Sequence, residues 1–245
     1  MVSIEEIEKF LGSKVSDPYG RVLGVLSSIY SDVDGNVSGV EIVSEDYYVK
    51  YISSERIIVT HDGVIVLPEW RVEATKVEAQ LDRARKRARA IEDLYVNKEI
   101  SSQAYEEMKK QIDSTLTRLK EKAKQVRFLL RRRLGEVEDE ILHVDKAINH
   151  LKLSYSSGEI NEQRFKSSID VLRSSKNKLI DEKKDLEKHI ELIEKLEAEV
   201  STPIKAAAPI TQTVPPVSQE TQQTQKTPQT TEAPQGPINV IITSA

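Results

Sequence analysis

Four histidines, 40 carboxylates and 36 lysines and arginines are the groups in this 245-residue chain best able to do chemistry, and there is no cysteine. Without cysteine there is no disulfide framework, no thiolate metal site and no thiol nucleophile. His143 and His150 stand seven apart, on one face of a helix, as two ligands of a metal site would. A zinc site needs a third and fourth ligand. Folding the chain back at Gly158 puts His189 opposite Phe128, well away from both, and His61 lies in a different region. No phosphate-binding Gly-rich loop and no Gly-x-Ser-x-Gly nucleophile elbow occurs. Carboxylates on helices are normally solvated or paired with Lys and Arg one turn away. These observations predict no catalytic residue, no cofactor site, no metal site, and therefore no enzyme.

Two other groups of residues point to binding. Arg83, Arg85, Lys86, Arg87 and Arg89 crowd into seven positions, and Arg131, Arg132 and Arg133 are consecutive. They are candidates for contact with phosphates, of lipid headgroups or of nucleic acid, through charge alone. The competing reading is a solvated helix face. No aromatic interleaving or reading-head motif accompanies them, so base-specific recognition is not expected. The second group ends the chain: Pro237, Ile238, Asn239, Val240, Ile241, Ile242 and Thr243 form an apolar, β-forming run behind a polar stretch. Such a segment suits addition to the edge of a partner's sheet, where backbone bonds give affinity and alternate side chains give specificity.

Three regions of different composition must position these groups. Residues 1–70 hold six of the nine glycines and the β-branched runs Val22–Ile29, Val37–Ile42, Tyr47–Ile52, Ile57–Thr60 and Val64–Leu67. Asp17-Pro18-Tyr19-Gly20, Asp34-Gly35-Asn36 and Asp62-Gly63 separate them. Five short strands with this turn chemistry predict a small all-β barrel, closed or nearly so.

From 71 to 200 the pattern is helical, with no proline and only two glycines. Val77, Leu81, Ala84, Ala88, Ile91 and Tyr95 step by four and three. The rhythm resumes at Leu134–Tyr155 and again at Phe165–Val200, with Lys176 and Lys183 in the seam. A 3.5-residue period is the signature of a coiled coil. An internal repeat at an offset of 60 aligns Tyr95–Tyr105 with Tyr155–Phe165, each copy a polar break, then Glu-Ile, then a Ser or Asn able to cap a helix. Turns near 98–101 and 156–161 therefore divide the region into helices at about 72–97, 102–155 and 162–200, antiparallel neighbours in one long coil. Residues 201–235, rich in Pro, Thr and Gln, are expected to be a disordered linker to the strand peptide 236–245.

The net charge of −4 is unevenly spread. It is −7 over 1–70, +8 over 71–134, −5 over 135–200 and zero beyond. Alternating blocks favour head-to-tail association. The N-terminus has no basic and apolar leader pattern, so no signal peptide is expected, and apolar runs are too short to span a bilayer.

Leu11-Gly12-Ser13-Lys14-Val15, Gly20-Arg21-Val22-Leu23-Gly24-Val25, Asp34-Gly35, Ile57-Ile58 and Asp62-Gly63-Val64-Ile65 resemble the PRC-barrel pattern, an adaptor fold. The whole order of parts, PRC-like barrel, charged coiled coil and Pro-rich tail with an apolar end, resembles the CdvA family of archaeal cell-division proteins. That resemblance implies a cytoplasmic protein at mid-cell on the inner face of the membrane. It implies self-association into dimers and filaments, and recruitment of the ESCRT-III-like protein CdvB. In such recruitment the terminal segment adds a strand to the partner's winged-helix domain, which assigns the contact to Pro237–Thr243. Peripheral membrane contact and non-specific DNA contact are the roles it leaves for the basic residues. The alternative function is a nucleic-acid-binding filament acting through the basic helix faces.

Overall fold

The computed structural model describes residues 2–201. The expected linker (but for Ser201, which ends the last helix) and the expected strand peptide 236–245 lie outside the described residues.

The chain opens with a one-turn helix, α1 (Ile4–Ile7), started by a capping box between Ser3 and Glu6. It delivers Ile7, wholly buried, to the first core. Six strands follow: β1 (Lys14–Ser16), β2 (Val22–Ser31), β3 (Val37–Val43), β4 (Val49–Ser53), β5 (Ile57–Val59) and β6 (Val64–Val66). Their order in the sheet is β4-β3-β2-β1-β6-β5. Every pairing is antiparallel except β1 with β6.

Register shifts at Val15/Ser16, Leu26/Ser28 and Tyr30/Ser31 bend the sheet, as unpaired residues in one strand do. The sheet therefore curls into a half-barrel around Ile7, Val15, Leu26, Val40, Val64 and Val66. The ends, β4 and β5, are joined by a 3-10 turn at Ser54–Arg56 and are not sheet neighbours. Gly24 lets β2 pass close to β3: at φ +153° a β-carbon there would sit 2.3 Å from the Val43 carbonyl oxygen.

The helices are α2 (Glu69–Val96), α3 (Ser102–Ser156) and α4 (Glu162–Ser201). At 1.5 Å per residue α3 is about 80 Å long. Both interhelix turns are built alike. Lys98 and Gly158 occupy the left-handed region, at φ 60° and 77°. The amides of Glu99 and Glu159 reach back to the carbonyls of Leu94 and Ser154, and those of Lys98 and Gly158 to Tyr95 and Tyr155. These are paired Schellman closures. Ser101 and Asn161 then cap the next helix by accepting from the amides of Ala104 and Arg164. Tyr95 stacks on Tyr105 with centroids 4.3 Å apart, and Tyr155 on Phe165 at 4.4 Å. The sequence repeat is thus a repeated clasp.

Each of the three long helices packs on the other two around Trp70, Val77, Leu81, Leu130, Leu186 and Ile193. Two expectations for the seam are corrected here. Lys176 and Lys183 sit at its margin, bonded to Asp145 and Glu138 of α3, while Glu182 and His189 occupy the buried line. A helix touching two neighbours needs a wider inward stripe than a two-helix seam. For the same reason His189 faces Trp70 and Glu78 of α2, and Phe128 is 72% exposed.

Candidate interaction surfaces

The turn between β1 and β2 is held against the helices by charge. Asp17, 5% exposed, accepts from the amides of Tyr19 and Arg21 and from Arg21 Nε. The other arm of Arg21 reaches Glu182 of α4 at 2.7 Å. Glu182 is 1% exposed and also takes two bonds from Arg133 of α3, at 2.9 and 3.1 Å. One carboxylate thus joins the half-barrel to two helices. Burial alone would raise the Glu182 pKa, but the bonds from Arg133 and Arg21 outweigh it and hold the group below its ordinary range. Arg133 is held above its usual value, chiefly by its bonds to Glu182.

Alongside, Tyr19 donates to Asp185 at 2.9 Å, and burial with that bond pushes its phenol well above the usual range. Arg71 also reaches Asp185, and Lys178 donates to the Gly20 carbonyl. This junction escaped the sequence reading. Its signal was Glu182 and His189 standing in phase with Leu179, Leu186, Ile193 and Leu196, polar groups on an apolar line.

The structure divides the eight basic candidates. Arg85 bonds Glu199 of α4 and Asp82 of its own helix; Lys86 bonds Asp82, and Arg89 approaches Glu199 at 3.8 Å. Arg131 bonds Glu194 at 2.6 Å, Arg132 bonds Glu136, and Arg133 is committed to Glu182, Glu136 and Glu140. Much of the basic excess of α2 and α3 therefore answers carboxylates in the second half of α4. Arg83 and Arg87 differ. Both are exposed and have no carboxylate within ion-pair distance among the described residues. With Arg118 and Lys122 of α3 they rim a groove of about 400 Å³ floored by Ala84, Ile112 and Leu119. The sequence runs did not reveal this groove, since Arg118 and Lys122 belong to neither cluster.

His143 and His150 are exposed on α3 and His61 is wholly exposed. Among the described residues no three His, Cys, Asp or Glu side chains gather as metal ligands, and no helix is long and apolar enough to cross a membrane. Pro237, Ile238, Asn239, Val240, Ile241, Ile242 and Thr243 fall outside the described residues.

A curled sheet keyed by ion pairs onto an antiparallel three-helix coil defines a coiled-coil protein whose exposed features are surfaces. The family model of the CdvA-like coiled-coil domain matches residues 69–216, opening on the first residue of α2. The chain is also 36% identical over 199 residues to Cell division protein A of Sulfolobus acidocaldarius, covering 81% of this chain and 83% of that protein. It belongs to the CdvA family. No solved structure matches it.

Proposed function

We propose that this chain is a non-enzymatic cell-division scaffold. It polymerises at the division site on the inner membrane face and recruits the ESCRT-III-like protein CdvB. The observation that carries this reading is the likeness to a cell-division protein along four-fifths of the chain, coil included. The coil supplies a long antiparallel support whose ends are closed by matching turns. The terminal run Pro237–Thr243 supplies the recruiting strand, with Ile238, Val240 and Ile242 alternating against Asn239, Ile241 and Thr243. Single tails bind weakly because they must order on binding, and arraying them along a polymer raises their effective concentration.

Deleting residues 236–245 tests this. Assembly should persist while retention of the CdvB winged-helix domain is lost. Retention of that domain by the shortened chain refutes the adaptor role.

One observation favours a second reading, a filament that contacts nucleic acid or lipid phosphates. Among the described residues Arg83 and Arg87 have no carboxylate within ion-pair distance. Salt separates the two. Phosphate binding weakens steeply as salt rises, whereas an added apolar strand responds little.

A further inference from the structure

The half-barrel carries a second surface that the other described residues leave bare. The β3–β4 hairpin turns through Ser44–Tyr48, closed by the Ser44 amide on the Tyr48 carbonyl and the Tyr47 amide on the Ser44 carbonyl, both at 3.0 Å. Tyr47 holds a left-handed backbone at φ 63°, where Gly or Asn would normally stand. Tyr47 is 89% exposed and Tyr48 77%. Glu45 and Asp46, also exposed, have no cation within ion-pair distance among the described residues. Two phenols and two unpaired carboxylates thus crown one tight turn. Tyrosine is enriched at the buried centres of protein interfaces, because it brings apolar area with a polar tip.

The groove between α2 and α3 is complementary in each respect. It offers guanidinium groups at Arg83, Arg87 and Arg118, none with a carboxylate within ion-pair distance among the described residues, and an apolar floor at Ile112 and Leu119. A phosphate backbone would use the arginines but has no need of the floor; an acidic hairpin tipped with tyrosine uses both. We propose that the β3–β4 hairpin tip of one copy docks in the α2–α3 groove of a second copy. The phenol rings cover the floor, and Glu45 and Asp46 meet Arg83 and Arg87. This rests on the polymerisation part of the proposed function and assigns it an interface. The contact joins two different patches, so it repeats from copy to copy and generates an open chain unless the rotation happens to close a ring.

The test uses the full chain, with assembly followed by sedimentation and light scattering. One variant carries Arg83→Glu and Arg87→Glu, another Glu45→Lys and Asp46→Lys, and a third all four. Each doubly reversed variant should raise the concentration needed for assembly about tenfold or more, since like charges then face one another. The fourfold variant restores opposite charges and should assemble within about threefold of the parent. Helical circular dichroism equal to the parent's is expected for all three, because these side chains make no ion pairs among the described residues. Tyr47→Ser with Tyr48→Ser should weaken assembly without altering its dependence on salt.

Parent-like assembly by either doubly reversed variant overturns the proposal, as does a fourfold variant no better than the doubles. Intact assembly by the arginine variant with lost binding to duplex DNA or to phosphatidylglycerol vesicles gives the groove to phosphate and also overturns it. A parent chain that never assembles removes the polymerisation reading itself, a result distinct from all of these.

Discussion

Replacing Glu182 by glutamine keeps the shape of the side chain and removes one charge from the junction between the half-barrel and the helices. The carboxylate is 1% exposed and takes three bonds from Arg21 and Arg133. Removing one partner of a fully buried ion pair costs about 3–5 kcal/mol, because the opposite charge is left without compensation. Here both arginines keep a second carboxylate, Asp17 for Arg21 and Glu136 with Glu140 for Arg133. Their side chains also remain 29% and 25% exposed, so water reaches them. The cost therefore falls at or below the low end of that range, about 2–3 kcal/mol. For a body of this size it should lower the thermal midpoint by about 5–10 °C, read by far-ultraviolet circular dichroism. Hydrogen exchange should locate the loss, with faster exchange at the Tyr19 and Arg21 amides, which Asp17 holds. The double replacement Glu182→Leu and Arg133→Met should recover much of the stability, since apolar groups of similar size often replace a buried ion pair without loss and Arg21 stays paired with the buried Asp17. A Glu182→Gln protein within about 0.5 kcal/mol of the parent would show that the junction is held by packing, and the electrostatic account would be wrong.

The same carboxylate sets an acid limb. Its pKa is lowered on folding, so its contribution is full above the ordinary glutamate value of about 4.3 and is lost as pH falls through the folded value. Stability measured by denaturant titration should drop more steeply below about pH 4.3 in the parent than in Glu182→Gln. At the first helix turn Lys98→Gly should stabilise by about 0.5–1 kcal/mol, because it removes a β-carbon from a left-handed position that Gly158 fills in the second turn; the reverse change, Gly158→Ala, should cost about as much, both read by urea unfolding. Gly24→Ala should destabilise the half-barrel by more than about 2 kcal/mol, since the new methyl group meets the Val43 backbone rather than a movable side chain; a small change in its thermal midpoint would mean the sheet can open there.

The helices were legible because local chemistry marks their ends. Ser101 and Asn161 could be read as caps in one dimension, and the expected spans 102–155 and 162–200 meet the observed Ser102–Ser156 and Glu162–Ser201 almost residue for residue. Proline and glycine usage separated the sheet from the coil for the same reason. What escaped depended on which elements become neighbours. Lys14–Ser16 is only three residues long and alternates around one buried valine, too little to mark a strand until its pairing with β2 and β6 is known. A period of 3.5 fitted one seam, yet the inward stripe of α4 serves two partners, which brings Glu182 and His189 inside and leaves Lys183 at the margin. The basic runs of α2 and α3 were visible as composition, but the α4 carboxylates that answer Arg85, Arg131 and Arg133 lie 49 to 114 residues away.

That distant pairing bears on how a highly charged coil keeps one register. Apolar contacts in a long helical hairpin repeat every turn, so sliding by a heptad costs little in burial. Charges repeat less faithfully: Arg131 meets Glu194, Lys183 meets Glu138, Lys176 meets Asp145 and Lys122 approaches Glu73. Exposed pairs of this kind contribute little to stability one at a time, but a one-heptad slip of α4 on α3 keeps at most one of the two lysine pairs, as Lys183 with Asp145 or Lys176 with Glu138, and leaves the other lysine facing Lys152 or Arg131. The stacked pairs Tyr95–Tyr105 and Tyr155–Phe165 then fix the two closed ends, where fraying would otherwise begin. Register in this coil is thus specified by electrostatics along its length and by aromatic clasps at its turns, while the apolar line supplies most of the binding energy. The consequence for a surface that must repeat from copy to copy is direct. The α2–α3 groove keeps its shape only while α3 holds its register on α2, so a shift there would scatter Arg83, Arg87 and Arg118 and leave the apolar floor without its cationic rim.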